Sequence, residues 1–250
     1  MLNNRCLLFI ILLAPFFSIA EKENETSTDL NVVAFSSRLL QYQEEGENKG
    51  PTIGILNALL KETEFNANVS YMPWARAFSI AKNTPNTLIL SMLRTPERED
   101  SFHWIIKVSQ AARVFISLKS KPESYVETMA EAKNKLIAVI LGSAAHKELI
   151  SAGFSEKENI YIVSDGNKML NLLINGRVDL IYSDPNNVEI GLQAINQPNV
   201  AISYKKITLE NQRMGYIALN KNSDEKIVNQ LQKAAAEFSK TAEYHRLLNE

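Results

Sequence analysis

Cysteine is almost absent from this sequence: Cys6 is the single example among 250 residues, and it lies near the amino terminus. Residues 1–20 have the pattern of a secretory signal peptide, since Arg5 precedes an apolar run at 7–13 and small residues at 18–20 supply a cleavage site. The apolar run is short for a bilayer span, and a retained membrane anchor is the alternative. Cleavage there leaves no cysteine, which excludes disulfides, iron–sulfur clusters, thiolate zinc sites and cysteine nucleophiles.

The sequence also lacks an excess of either charge. It has 27 Lys and Arg against 28 Asp and Glu, and no basic block alternates with aromatic residues, so no nucleic-acid surface is expected. No second long apolar run follows the amino-terminal one. After a flexible acidic arm at 21–28, the remaining chain is long enough for one large domain or two lobes, and we expect a soluble, exported monomer.

Motifs for metal binding and catalysis are missing as well. The three histidines, His103, His146 and His245, are far apart and no H-E-x-x-H motif accompanies them. No G-x-S-x-G, P-loop or G-x-G-x-x-G motif occurs, which removes the basic elements of serine hydrolases and nucleotide-binding proteins. We therefore expect no metal, no cofactor and no catalytic residue.

The sequence does contain a regular alternation of strand and helix patterns. In the first part of the chain the pattern predicts strands at 31–35, 68–71 and 87–91, a helix at 53–63 and a second helix from Pro73. After Trp104 the alternation restarts, with strands expected at 112–118, 136–140, 160–163, 179–182 and 200–203. A strand at 215–219 and helices at 224–238 and 241–249 close the chain.

This alternation is typical of an α/β fold, because each helix carries the chain back to add a parallel strand. Two such units without a Gly-, Pro- or Ser-rich linker indicate two lobes joined by strand-like crossings. We assign residues 29–112 and 215–250 to the first lobe and residues 113–214 to the second.

Residues 88–98 are the most informative segment. Leu and Ile at strand length are followed by Arg94-Thr95-Pro96-Glu97-Arg98, which predicts a buried strand ending in a charged turn. Open α/β sheets bind ligands beyond the carboxyl ends of their strands, and a guanidinium matches a carboxylate with two parallel hydrogen bonds. Arg98 is therefore a candidate carboxylate ligand, with a solvated surface arginine as the alternative.

Several short motifs occur in a fixed order along the chain. They are Pro73-Trp74-Ala75-Arg76-Ala77, Thr95-Pro96-Glu97-Arg98 followed by Phe102 and Trp104, Gly142-Ser143, and Gly176-Arg-Val-Asp-Leu-Ile-Tyr-Ser-Asp184. With the signal peptide, this set resembles the bacterial extracellular solute-binding proteins of family 3. The resemblance implies a two-lobe, type II periplasmic-binding-protein-like fold with the ligand cleft between lobes. It also implies a periplasmic receptor that delivers a small polar, amino-acid-like solute to an ABC permease.

The resemblance assigns roles at the carboxylate end of such a ligand. Arg98 matches the arginine of a T-x-x-R motif that holds the α-carboxylate, and Ser91 matches a ligand-contacting serine at the end of the same strand. Gly142 and Ser143 match the start of a second-lobe helix whose N–H groups bind the carboxylate, a position that also favours anions physically.

Asp184 and Tyr42 would contact the rest of the ligand. The resemblance makes Asp184 the acceptor of an α-ammonium, while the helix cap before Pro185 is an equal alternative. Tyr42 is the candidate aromatic cover from the first loop. In that loop Leu39-Leu40-Gln41 replaces a proline pair that is frequent in the family, which leaves the specificity for amino acids open.

Trp74 and Arg76 are further candidates for ligand binding. The helical spacing of Trp74 with Phe78 also fits a core position, and Arg76 is equally well explained as a solvated arginine.

Two alternatives of function stay open beside the importer receptor. One is an enzyme on the same scaffold, dehydratase-like, with Glu189 as the candidate general acid or base. The other is a sensor that presents its ligand to a chemoreceptor or kinase.

Overall fold

A computed structural model describes residues 29–249, so the predicted signal peptide at 1–20 and arm at 21–28 lie outside the described part. The strands are β1 Asp29–Ala34, β2 Tyr42–Glu44, β3 Glu47–Lys49, β4 Asn66–Tyr71, β5 Thr87–Leu93, β6 Phe102–Ala112, β7 Val114–Leu118, β8 Ile137–Ile140, β9 Ile160–Val163, β10 Leu180–Ser183, β11 Ile202–Tyr204 and β12 Gln212–Asn220. The helices are α1 Pro51–Lys61, α2 Trp74–Asn83, α3 Met129–Ala132, α4 Ala144–Ser151, α5 Gly166–Ile174, α6 Pro185–Ala194, α7 Glu225–Phe238 and α8 Ala242–Leu248. Short 3₁₀ turns cover Pro96–Ser101, Pro122–Ser124 and Leu209–Asn211.

The first lobe is built on a mixed sheet of order β4-β1-β5-β12-β6. Strands β4, β1 and β5 are parallel, whereas β12 runs antiparallel to both β5 and β6. The apolar run of β5 is buried on both faces: Leu88 and Leu90 pack with α1, α7 and α8, while Ile89 and Met92 pack with α2. A strand buried on both faces explains why this segment reads as continuously apolar.

The second lobe has a sheet of order β11-β7-β10-β8-β9. Strands β10, β8 and β9 are parallel, and β7 is antiparallel to both of its neighbours. Helices α5 and α6 cover one face, and α4 covers the other. These two covered sheets confirm the predicted α/β fold with two lobes.

Helices α4, α5 and α6 all start directly beyond a parallel strand. Ser143, Asp165 and Asp184 cap them, and each side chain accepts a hydrogen bond from a backbone N–H three residues later. Local capping chemistry therefore fixes where the helices begin. Their amino ends lie at the carboxyl edge of the sheet, where α/β folds place ligands.

The chain crosses between the sheets twice, from β6 into β7 between Ala112 and Val114, and from β11 into β12 between Tyr204 and Gln212. The predicted lobe boundaries at 112/113 and 214/215 stay predictions. Strand β12 begins a few residues ahead of the second of these, and Gln212 pairs with Ala112 in the first sheet. Within residues 29–249, no helix is long and apolar enough to cross a lipid bilayer.

Candidate ligand-binding site

A cavity of about 170 Å³ lies between the two lobes. Both lobes contribute to its wall, and five of the predicted site residues line it: Trp74, Ser91 and Arg98 from the first lobe, Ser143 and Asp184 from the second. Apolar side chains of Phe35, Leu39, Leu40, Leu90, Leu93 and Ile140 complete much of the lining. The structure thus brings together side chains that are up to 110 positions apart in the sequence.

Arg98 is buried at this cavity, with 2% of its surface exposed. It lies in the 3₁₀ turn after β5, where its backbone N–H donates to Thr95 O at 3.0 Å and its Nη1 donates to Leu93 O at 2.9 Å. The Arg98 Nε and Nη2 atoms are buried and find no hydrogen-bond acceptor among residues 29–249. This placement excludes the alternative of a solvated surface arginine.

The free edge of Arg98 has the geometry that a carboxylate needs. Nε–H and one Nη2–H point the same way, so two carboxylate oxygens can accept parallel hydrogen bonds from them. The guanidinium carbon also lies 5.1 Å from the ring centres of both Trp74 and Phe78, which holds the group in place by cation–π contact.

The pKa of Arg98 is lowered to about 10, chiefly by burial; the nearby positive charge of Arg113 acts in the same direction, and Glu97 and Glu148 oppose the shift. The guanidinium therefore keeps its charge at neutral pH. A buried cation without a paired anion is costly, and a bound anion would offset that cost.

Ser91 lies in a bulge of β5. The registers of β5 and β12 leave one extra residue in β5 between Ile89 and Met92, and Ser91 has a φ of 51°. Its hydroxyl donates to Gln41 Oε1 at 2.6 Å and lies 3.0 Å from Thr52 Oγ1. Ser91 thus lines the cavity, but its hydroxyl already donates its hydrogen bond to Gln41 of the same lobe.

Gly142 and Ser143 contribute to the site in different ways. Ser143 lines the cavity and caps α4, with its Oγ accepting from His146 N at 3.2 Å. Gly142 has a φ of 67° and lies outside the cavity lining. Its N–H donates to His146 Nδ1 at 3.1 Å, and its carbonyl accepts a 3.0 Å hydrogen bond from Trp74 Nε1 across the cleft. Gly142 therefore links the lobes through its backbone.

Asp184 is buried, and both of its carboxylate oxygens have partners. Oδ1 accepts from Asn187 N at 3.1 Å, which is the helix-cap bond, and Oδ2 accepts a short hydrogen bond from Ala112 N at the end of β6. The helix-cap alternative therefore applies to Asp184, and the same carboxylate also fixes the first crossing between the lobes.

Tyr42 and Arg76 are not brought into the cavity. Tyr42 lies in the β2–β3 hairpin, where the guanidinium of Arg38 lies 4.5 Å from its ring centre. Arg76 is exposed on α2, as the solvated alternative expected. Phe35 and Leu40 line the cavity from the first-lobe loops instead.

Trp74 occupies a core position and also lines the cavity, so it has features of both the core and the ligand-binding interpretation. Its ring stacks on Phe78 at 5.9 Å in a buried cluster, and the same side chain lines the cavity. Glu189, the acid named for the enzyme alternative, is exposed on α6 and does not line the cavity. Within the part of the chain that the structure describes, no cluster of three or more His, Cys, Asp or Glu residues could hold a metal ion.

Arg113 is a cavity residue that the sequence reasoning missed. It follows directly on Ala112, its Nη1 donates to Tyr182 O at 3.4 Å, and its Nε is buried without a hydrogen-bond acceptor in residues 29–249. Burial lowers the pKa of Arg113. The sequence signal that could have identified Arg113 is its position as a single charged residue between the apolar ends of two consecutive strands.

A second cavity of about 450 Å³ adjoins the first, and Phe35, Ser37, Ile140, Ser183 and Asn187 line both. It extends the cleft toward Tyr71, whose hydroxyl is buried and unpaired among the described residues. Burial raises the pKa of Tyr71 to about 12, so this hydroxyl stays a neutral donor.

Residues 32–250 match the bacterial extracellular solute-binding proteins, family 3, and the chain belongs to that family. Among solved structures, it is similar to a histidine kinase sensor domain that itself resembles periplasmic binding proteins, with a TM-score of 0.75 and 13% identity over 87% of this chain and 93% of that one. It is also similar to the arginine-, lysine-, histidine-binding protein ArtJ from Geobacillus stearothermophilus (TM-score 0.72, 18% identity, 87% and 93% coverage). A third similar structure is a putative L-cystine ABC transporter protein from Listeria monocytogenes (0.73, 15%, 88% and 94%).

At these identities the solved structures establish the fold, and they confirm the two-lobe periplasmic binding protein architecture. A search of curated proteins finds no match. The chain is therefore a solute-binding protein by family.

Proposed function

We propose that this protein is a periplasmic receptor that captures a small carboxylate-bearing solute between its lobes and delivers it to an ABC permease. The observation that supports this is that the buried Arg98 lines a cavity between the two lobes, while the Nε and Nη2 edge of its guanidinium has no hydrogen-bond acceptor within residues 29–249. A ligand carboxylate would complete the hydrogen bonding of that edge and neutralise its charge. Ser143, at the amino end of α4, would add a contact from the second lobe.

Binding from both lobes gives the receptor its mechanism. A solute that touches Arg98 in one lobe and the second-lobe wall beside Ser143 binds the closed form better than the open one, and only this difference in affinity shifts the equilibrium toward closure. A permease that recognises the closed form then senses the loaded state.

The first experiment is a thermal-shift screen of the purified protein against amino acids, polyamines and small organic acids, followed by calorimetry on the ligands found. Arg98→Ala should weaken carboxylate binding by about 2–5 kcal/mol, because the bound anion is left without its buried partner. Arg98→Lys should also weaken it, since an ammonium cannot offer two parallel N–H groups. Arg76→Ala, an exposed arginine of the same lobe, is the matched control and should bind normally. Full affinity in a folded Arg98→Ala protein would refute the proposal.

A sensor role is the second candidate, and the similarity to a histidine kinase sensor domain favours it. Cells that lack this protein distinguish the two roles. Loss of ligand uptake supports the importer, whereas normal uptake with loss of a transcriptional or chemotactic response supports the sensor.

A further inference from the structure

We propose that the ligand is a small dicarboxylate without an ammonium group, with one carboxylate on Arg98 and the other on Arg113. This inference rests on the proposed function, because it takes carboxylate capture by Arg98 as given. The observation behind it is that the cavity brings together two arginines with buried guanidinium atoms that lack a hydrogen-bond acceptor within residues 29–249: Nε and Nη2 of Arg98, and Nε of Arg113.

The charges that line the cavity favour an anion with more than one negative group. Arg98 and Arg113 are its two cations, and Asp184 is the single acid among the lining residues 35–187. The Asp184 carboxylate is turned toward backbone N–H groups of Asn187 and Ala112, and its charge acts on Arg113 without a direct ion pair to either guanidinium. Two buried guanidinium groups in one small cavity repel each other, and two ligand carboxylates would offset both charges.

Glu148 does not supply the missing anion inside the cavity. Its Oε2 lies 4.0 Å from Arg113 Nε, beyond hydrogen-bond distance, and its Oε1 lies 3.6 Å from Arg213 Nε. Glu148 is shared between these two arginines, and neither Glu148 nor Arg213 lines the cavity. Arg113 Nε therefore has a distant ion-pair partner but no hydrogen-bond acceptor within residues 29–249.

The lining offers little to an ammonium group. Both Asp184 oxygens already accept backbone N–H groups, Ser143 Oγ accepts from His146 N, and Asn187 Oδ1 accepts from Ser37 Oγ at 2.9 Å. An ammonium would also place a third positive charge beside two guanidinium groups in a site of low dielectric. This arrangement disfavours α-amino acids relative to acids of the same length without the amine.

The size of the cavity suits a short acid. Its volume of about 170 Å³ lies below the range of about 300–1,000 Å³ that is usual for sites of drug-sized ligands. That space accommodates a chain of four or five carbons with a carboxylate at each end. The apolar side chains of Leu90, Leu93 and Ile140 provide a surface for the methylene groups between them.

The test is a calorimetric comparison of butyrate, succinate and aspartate, which share a four-carbon chain and differ by one carboxylate or one ammonium. Pentanoate, glutarate and glutamate repeat the comparison with five carbons. We expect the dicarboxylate of at least one series to bind at least about tenfold more tightly than both its monocarboxylate and its amino-acid partner, a factor that corresponds to about 1.4 kcal/mol. Tighter binding of the monocarboxylates or of any amino acid would overturn the inference.

Variants of Arg113 assign the second carboxylate. Arg113→Gln should bring dicarboxylate affinity close to that of the monocarboxylate while changing monocarboxylate affinity less than about threefold, since that anion stays on Arg98. Arg213→Gln is the matched control, because it removes the other arginine beside Glu148 without touching the cavity. It should preserve the dicarboxylate preference. If Arg113→Gln does not fold, Arg113→Lys keeps the charge and should retain only part of the preference.

The outcomes separate this inference from the proposed function. Binding that depends on Arg98 but is strongest for an amino acid, or a dicarboxylate preference unchanged in Arg113→Gln, refutes the dicarboxylate alone. Binding that is unaffected by Arg98→Ala, or no binding of any carboxylate tested, refutes both.

Discussion

Asp184 stabilises two backbone segments with one carboxylate. One oxygen caps α6 through Asn187 N, and the other holds Ala112 N, the last backbone donor of β6. A carboxylate can serve both because each oxygen accepts independently, whereas an amide has one accepting oxygen. This difference makes the structural role of Asp184 measurable without any ligand.

We predict that Asp184→Asn destabilises the ligand-free protein by about 1–3 kcal/mol. The amide oxygen can still cap α6, but the amide nitrogen would face Ala112 N–H, donor against donor. The matched control is Asp165→Asn, since Asp165 caps α5 through Lys168 N at 2.8 Å and is exposed. Asparagine caps helices as well as aspartate does, so the control should stay close to wild type in urea unfolding. Equal, small effects in both variants would contradict this account.

Residues at strand ends were predictable because local signals place them. Arg98 follows from the apolar run of β5 and its charged end, and the helix cap of Asp184 from its position before Pro185, whereas Ser91 was identified through the family resemblance. Tyr42 was not predictable in this way, since its place in the hairpin depends on contacts such as Thr52 N to Leu40 O across the chain. Gln41 was overlooked for the same reason: it is 2% exposed, and its partners Ser91 and Phe35 come together only in the folded lobe.

At the scale of elements, strand β12 lies where both chain crossings meet the first lobe. It follows the second crossing, and its first residue, Gln212, pairs with Ala112, where the first crossing begins. It lies between β5 and β6, and Gly215 pairs with Leu93 on one side and Ser109 on the other. A Cβ on Gly215 would overlap Ser109 Oγ, while Ser109 Cβ at 3.6 Å and Ser91 O at 3.7 Å would be ordinary contacts. The glycine therefore permits close approach of β6 next to the cavity.

We predict that Gly215→Ala lowers the free energy of unfolding by about 1–3 kcal/mol, because the added methyl group overpacks a buried strand pair. Ser109→Ala alone should change stability little, since the Ser109 hydroxyl is buried and has no partner within residues 29–249. The double variant should regain most of the lost stability, as the overlapping atom is gone. Non-additivity in denaturant unfolding measures this coupling. A double variant as unstable as Gly215→Ala would show that the contact with Ser109 is not the cause.

The elements themselves were largely predictable, with two instructive exceptions. The predicted strands at 136–140, 160–163 and 179–182 agree with β8, β9 and β10 to within one residue, because short apolar runs mark them. Strand β6 was missed because its pattern of buried and partly buried residues is irregular and its register with β12 shifts twice. The β2–β3 hairpin was missed because its six strand residues are polar and either exposed or only partly buried.

For the whole molecule, two hydrogen bonds across the cleft connect the lobes next to the cavity. Trp74 Nε1 donates to Gly142 O at 3.0 Å, and Ser37 Oγ donates to Asn187 Oδ1 at 2.9 Å. Ile140 of the second lobe also packs against the first-lobe cluster that contains Trp74. These contacts exist only when the lobes are close, so they stabilise the closed form together with the ligand.

The two tryptophans make closure observable. Trp74 contacts the second lobe, whereas Trp104 lies wholly within the first lobe, edge-on to Tyr216 at 5.7 Å and donating to Glu99 O at 3.4 Å. We predict that ligand addition changes the fluorescence of Trp104→Phe, in which Trp74 alone emits. The emission of Trp74→Phe should stay constant, because the surroundings of Trp104 do not change on closure. If the emission of Trp74→Phe, in which Trp104 is the emitting residue, changed with ligand while that of Trp104→Phe did not, closure around Trp74 would be contradicted.

Trp74→Phe also tests how much the cross-cleft bond contributes. It removes the donor to Gly142 O while keeping a ring beside Arg98, so ligand affinity should fall roughly threefold to tenfold, as expected for one hydrogen bond of net 0.5–1.5 kcal/mol.

In wild type, saturation with succinate, or with another solute found by the thermal-shift screen, should raise the melting temperature and reduce the radius of gyration in small-angle scattering. The variant should need more ligand to reach the same compact state. A radius of gyration that does not change at saturation would mean that the lobes are already closed without ligand, and capture would then depend on a local opening of the cavity wall.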